Sequence, residues 1–154
     1  MRSSSSTSSR PSAPNFDPMA IASAIASAAG VAVSVYLTFP EQVTASPLCD
    51  ISATFSCTSV LSSQYAEFLG VPVAVYGAAW FSVSLFLSII ATSRERAVKF
   101  LFLWSVLGML GVGALVLVEA FLIGSFCIYC TVAHVLAALV FANAYLIRSE
   151  AGTD

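Results

Sequence analysis

The sequence predicts an all-α, polytopic membrane protein: a four-transmembrane-helix bundle with an outer loop and a short amphipathic surface helix. Three observations predict it. Of 154 residues, 58% are hydrophobic and only 9% are charged, where soluble domains carry about 25%. Residues 18–40, 68–93, 100–118 and 120–147 contain no Asp, Glu, Lys or Arg. All six basic residues fall before the first of these stretches, between the second and third, or after the last. The runs are continuously apolar rather than alternating, which excludes a membrane β-barrel. A net charge of −2 with scattered basic residues excludes nucleic-acid binding.

Residues 1–16 are Ser-rich and poor in large apolar side chains, a composition that predicts disorder. They lack the apolar core of a signal peptide, so the first span is expected to stay as an anchor. An α-helix needs roughly 20 apolar residues to cross the hydrocarbon layer. Spans are therefore predicted near 19–39, 72–92, 99–122 and 126–147, inside a membrane domain of residues 17–148. A short cytoplasmic tail, 149–154, follows. The third and fourth spans are separated by a tight turn at Gly124-Ser125. Ala22, Ala26, Gly30 and Ser34 form a small-residue stripe on the first span, and Gly108, Gly111 and Gly113 offer another on the third. Such stripes let membrane helices approach closely.

Orientation follows from charge. Arg2, Arg10, Arg94, Arg96, Lys99 and Arg148 share one face of a four-span bundle, and the 40–71 loop with the 123–125 turn has no basic residue. The positive-inside rule then predicts a multi-pass protein of the cell membrane with both termini cytoplasmic. The four cysteines, Cys49, Cys57, Cys127 and Cys130, fall on the extracytoplasmic side, where disulfides persist.

Cys49 and Cys57 are separated by seven residues of the outer loop, and Cys127 and Cys130 open the fourth span. A thiolate at a helix N-terminus is stabilised by backbone N–H groups, which is expected to lower the pKa of Cys127. The four sulfurs suit a two-step redox relay. Two structural disulfides, or a four-cysteine zinc site, are the competing readings. Zinc ribbons place two close pairs in a polar setting, unlike this arrangement, so no metal is expected.

Between the pairs, Thr58–Leu69 has Val60, Leu61, Tyr65, Phe68 and Leu69 at helical spacing, with Gly70 and Pro72 as stop signals. This predicts an amphipathic helix lying on the outer surface, capping a cavity between the spans and carrying Cys57 toward Cys127. His134, the only histidine, falls within an arc of about 60° of Cys127 and Cys130 on a helix. An ionisable residue inside a span is a functional candidate by default. Glu119, near the outer end of the third span, is expected to be exposed and structural.

These residues resemble the vitamin K epoxide reductase family of membrane thiol–quinone oxidoreductases. The match runs through Cys49-Asp50, Cys57 with Ser63 six residues on, Tyr76-Gly77 and Cys127-Ile128-Tyr129-Cys130. Other four-span disulfide generators carry their C-x-x-C in the first outer loop, the opposite order. The resemblance implies that Cys49 exchanges with a separate thioredoxin-like protein, that Cys57 passes electrons to Cys127, and that Cys130 meets the quinone. It implies supporting roles for Asp50 and Ser63, and a place for Tyr76 in the quinone pocket. Val73 stands where vertebrate members have an asparagine that binds the vitamin K head group, and His134 replaces a tyrosine. Both departures favour a respiratory quinone, ubiquinone, menaquinone or similar, over vitamin K epoxide, with His134 supplying the hydrogen bond that Val73 cannot. The resting disulfides are either Cys49–Cys57 with Cys127–Cys130, or a Cys57–Cys127 link.

Overall fold

The computed structural model describes residues 18–52, 54–92 and 95–151. The Ser-rich N-terminal segment, Arg2, Arg10 and Arg94 lie outside the described residues. Six helices and one small hairpin follow in order: α1 (Pro18–Leu37), α2 (Pro40–Thr44), α3 (Cys57–Leu61), β1 (Glu67–Phe68), β2 (Val71–Pro72), α4 (Val73–Ala91), α5 (Glu95–Leu117) and α6 (Ile128–Ala151). A π-helical turn, Val118–Ile123, extends α5. Four helices are long and apolar enough to cross a membrane: Pro18–Leu37, Val73–Ala91, Arg96–Ile123 and Ile128–Ser149.

Packing closes these four into a ring. α1 lies against α4 and α6, and α5 lies against the same two helices. Most large apolar side chains face outward, as lipid allows, while serines and alanines line the contacts. Ser23 Oγ and Ser88 Oγ hydrogen-bond at 2.9 Å across α1 and α4. Of the small-residue stripe expected on α1, Ala26, Gly30 and Ser34 are buried and Ala22 is exposed; Ser23 and Ser27 widen the buried face. On α5 only Gly108 serves close approach. A Cβ there would collide with the Trp80 ring, as one at Gly30 would with Phe81, whereas Gly111 and Gly113 face open space.

Helix ends follow local chemistry. Pro40 disfavours helical geometry at the residue before it; Phe39 leaves the helix at φ −112° and ψ 77° and α1 stops. At the other end of the bundle α5 starts earlier, and α6 ends later, than the charge-free stretches suggest. Arg96, Lys99 and Arg148 are exposed and stay helical, because long basic side chains reach outward from apolar stems. Arg148 also stacks over the Phe102 ring, 4.4 Å from its centroid.

The surface helix differs most from expectation. It spans five residues, not twelve. Ser62 Oγ donates to the Thr58 carbonyl at 2.6 Å and Ser63 Oγ to the Val60 carbonyl at 2.7 Å. Such hydroxyls compete with the backbone for helical acceptors. Beyond them, Glu67 pairs with Pro72 and Phe68 with Val71 in a hairpin. Its two turn residues, Leu69 (φ 54°) and Gly70 (φ 76°), both have positive φ, the type I′ geometry that matches strand twist. Tyr65, Phe68 and Leu69 are consequently exposed, Phe68 keeping an edge-on contact with the Tyr76 ring of α4.

Candidate active site

Backbone pairing in the outer loop brings the cysteines together. The Cys57 N–H donates to the Cys49 carbonyl at 3.0 Å, folding the 49–57 loop back on itself. The Ser56 N–H then donates to the Phe126 carbonyl (3.1 Å), and the Phe126 N–H to that of Thr54 (2.8 Å). This two-way clasp docks the loop beside the start of α6. Val43, Cys49, Cys57, Val60 and Cys127 form a small buried core there, apart from the main bundle core.

The four thiols make an unbroken file. Cys49 hydrogen-bonds Cys57, Cys57 reaches Cys127, and Cys127 reaches Cys130. Cys127 immediately precedes α6, and its sulfur accepts the Cys130 N–H at 3.3 Å, capping the helix. The first three cysteines are buried and Cys130 is half-buried.

Electrostatics in the file run against easy ionisation. Burial first, then the Cys57 contact and the Asp50 carboxylate, push the Cys49 thiol up to about 11. Burial raises Cys57 as well. Cys127, in the turn between two spans, is raised too, chiefly by its hydrogen bond with the Cys130 side chain and by burial. The expected lowering by the helix N-terminus is outweighed, because the Cys130 contact and desolvation both penalise the thiolate. Asp50 behaves in the opposite sense: hydroxyls of Ser56 and Thr58 donate to its two oxygens at 2.6 Å each and hold its carboxyl below the usual range.

Cys130 opens onto a cavity of about 370 Å³ between the four spanning helices and the outer loop. That volume suits a small ligand. Val73, Tyr76 and Trp80 of α4, Gly108 and Val112 of α5, and Cys130 and His134 of α6 all line it, as does Ser63 of the loop. Tyr76 donates its hydroxyl to the Phe68 carbonyl at 3.0 Å, so its ring is what it presents. Ser63 donates to the Val60 carbonyl at 2.7 Å rather than to a cysteine. Asp50 lies by Cys49, away from the cavity wall.

Two features were missed by sequence reasoning. Tyr129, inside the C-x-x-C, packs edge-on to Tyr36 with ring centroids 5.4 Å apart and shares a hydrogen bond with Ser46 at 2.8 Å. It anchors the start of α6 to α1 and the outer loop. Glu119, expected to be exposed, is only 5% exposed. It sits in the π-helical turn, accepts the Cys127 N–H and lines the cavity. The only sequence signal for it was a carboxylate interrupting an otherwise uncharged run.

Fold and site together define a four-helix membrane protein in which a file of thiols ends at an apolar cavity. The model of the vitamin K epoxide reductase family matches residues 21–145, and the chain belongs to that family. Membership makes it an oxidoreductase with quinone or vitamin K epoxide reductase-type redox chemistry. A search of curated proteins finds no match.

Proposed function

We propose that the protein is a thiol–quinone oxidoreductase that takes electrons from a thioredoxin-like partner and feeds disulfide formation outside the cytoplasm. The single observation that carries this reading is the file Cys49, Cys57, Cys127, Cys130 with only its last member on the cavity. Partner thiolate attacks Cys49 of a Cys49–Cys57 disulfide, and Cys57 leaves as thiolate. Cys57 then attacks Cys127 of the inner disulfide and releases Cys130. Each exchange proceeds through a mixed disulfide between neighbours. Leu48 and Ile51, 57% and 60% exposed on either side of Cys49-Asp50, offer the partner an apolar edge.

The cavity fits a quinone head group on two counts: its apolar walls, and the unpartnered Glu119 Oε2 among polar groups at its wall. When bound, the quinone supplies an acceptor for two electrons and two protons. Cys130 faces it, His134 donates a hydrogen bond, and the Tyr76 ring and Val73 flank it. The charge distribution supports an extracytoplasmic position for the cysteines.

The test uses purified full-length protein in nanodiscs with a reduced thioredoxin-like protein and a short-chain ubiquinone. Wild type is expected to oxidise the dithiol at the expense of the quinone, and Cys130→Ala to lose that turnover while the bundle still assembles. Full turnover by Cys130→Ala overturns the assignment. Reduction of vitamin K epoxide in place of the quinone would redirect it to the epoxide.

A further inference from the structure

Glu119 is the buried ionisable group that the thiol relay leaves unused. A carboxyl inside a spanning segment is functional by default, and π-helical turns of the kind that holds it concentrate at functional sites. One oxygen accepts the Cys127 N–H. The other, Oε2, is buried with no hydrogen-bond partner among the described residues. The same carboxyl lines the cavity with Cys130 and His134. It therefore lies between the backbone at Cys127 and the cavity onto which Cys130 opens.

We propose that Glu119 is the proton-transfer group of the site, carrying a proton from the Cys127 thiol to the bound quinone. This rests on the thiol–quinone reading. The balance requires it: two thiols and one quinone give one disulfide and one quinol. As the Cys127–Cys130 bond forms, two S–H bonds break and two electrons pass to the quinone. The Cys127 proton moves to the Glu119 carboxylate and on to one quinone oxygen, returning Glu119 to its starting form. The Cys130 proton reaches the other oxygen past His134. Glu119 is held at the Cys127 backbone N–H, and the only other carboxylate among the described cavity-lining residues is Glu67 of the outer loop.

The titratable groups facing this space are Cys130 and His134 from α6, Tyr76 from α4, and Tyr65 and Glu67 from the outer loop; Cys57 of α3 lies behind the wall, beside Cys127. No lysine or arginine is among the described cavity-lining residues.

The experiment compares wild type, Cys130→Ala, Glu119→Gln and Glu119→Asp, as full chains in nanodiscs with short-chain ubiquinone. Glu119→Gln keeps the acceptor for the Cys127 N–H but cannot carry a proton. It is expected to slow quinone reduction by about 100-fold, within the range for lost acid–base catalysis, and to remove one limb of the pH–rate profile. Glu119→Asp is expected to keep that limb. A second readout needs no quinone: the infrared difference spectrum between thiol and disulfide forms should contain a carboxyl band that Glu119→Gln removes. If Glu119→Gln fails to fold, the pH limb in Glu119→Asp and the wild-type carboxyl band decide alone. Wild-type turnover by Glu119→Gln, or equal slowing in both variants with an unchanged pH profile, overturns the proposal. If Cys130→Ala is inactive while Glu119→Gln is fully active, only the role of Glu119 falls. If wild type itself reduces no quinone, both fall.

Discussion

At the scale of single residues, the entry thiol is held in its neutral form. Cys49 is pushed up to about 11 by burial, by Cys57 and by Asp50. The thiolate is the attacking species, so its fraction grows about tenfold per pH unit below that value. Attack by reduced Cys49 on a small aromatic disulfide is therefore expected to accelerate steadily from pH 7 toward pH 11, where an ordinary thiol levels off near 8.5. Stopped-flow absorbance of the released thiol measures it; a plateau below pH 9 would contradict the burial argument. The sign for stability follows from the same shift. Folded Cys49 keeps its proton to higher pH than the unfolded thiol, so its contribution is present below about 8.5 and fades as pH rises through about 11. Asp50 contributes the other way, with stability lost as pH falls through its lowered value. The positions of these groups could be read from the sequence, since cysteines and a neighbouring carboxylate announce themselves. Their partners could not. Ser56 and Thr58 reach Asp50 only because the loop doubles back, and Glu119 turns inward only because α5 widens into a π-helical turn.

At the scale of elements, the hairpin after α3 carries local strain. Leu69 has φ 54°, a left-handed conformation that costs a residue with a Cβ roughly 1–2 kcal/mol. Its side chain is 84% exposed, so little packing opposes replacement. Leu69→Gly is expected to stabilise the domain by about 1 kcal/mol in denaturant unfolding; destabilisation would mean that the leucine binds lipid or a partner more strongly than the backbone resists. This hairpin was hidden in the sequence. Apolar residues at 60, 61, 65, 68 and 69 fit a helical period, but the period describes spacing and not the hydroxyl competition at Ser62 and Ser63 or the turn preference of Leu69-Gly70. The spanning helices were legible because an uncharged run of sufficient length has few other options in lipid. Their ends were less so, since Arg96, Lys99 and Arg148 remain helical beyond the uncharged runs.

At the scale of the whole molecule, four spans and one cysteine-bearing end were readable from composition and spacing, but the cavity was not. It arises from how α4 and α5 meet, and that contact is set by one pair of rings. Trp80 and Trp104 lie nearly parallel, 11° apart in tilt with centroids at 6.5 Å, and each indole N–H donates to the other's backbone carbonyl at 3.2 Å. Gly108 leaves room for Trp80, whose ring then forms part of the cavity wall. These are the only two tryptophans in the chain. The protein thus contains its own optical probe: indole emission arises from Trp80 at the cavity wall and from Trp104 stacked against it. An electron-accepting ligand bound in the cavity is expected to quench that emission in a saturable manner. Trp80→Phe should remove most of the quenching and Trp104→Phe should leave it, so a single titration in a fluorimeter reads cavity occupancy without any turnover.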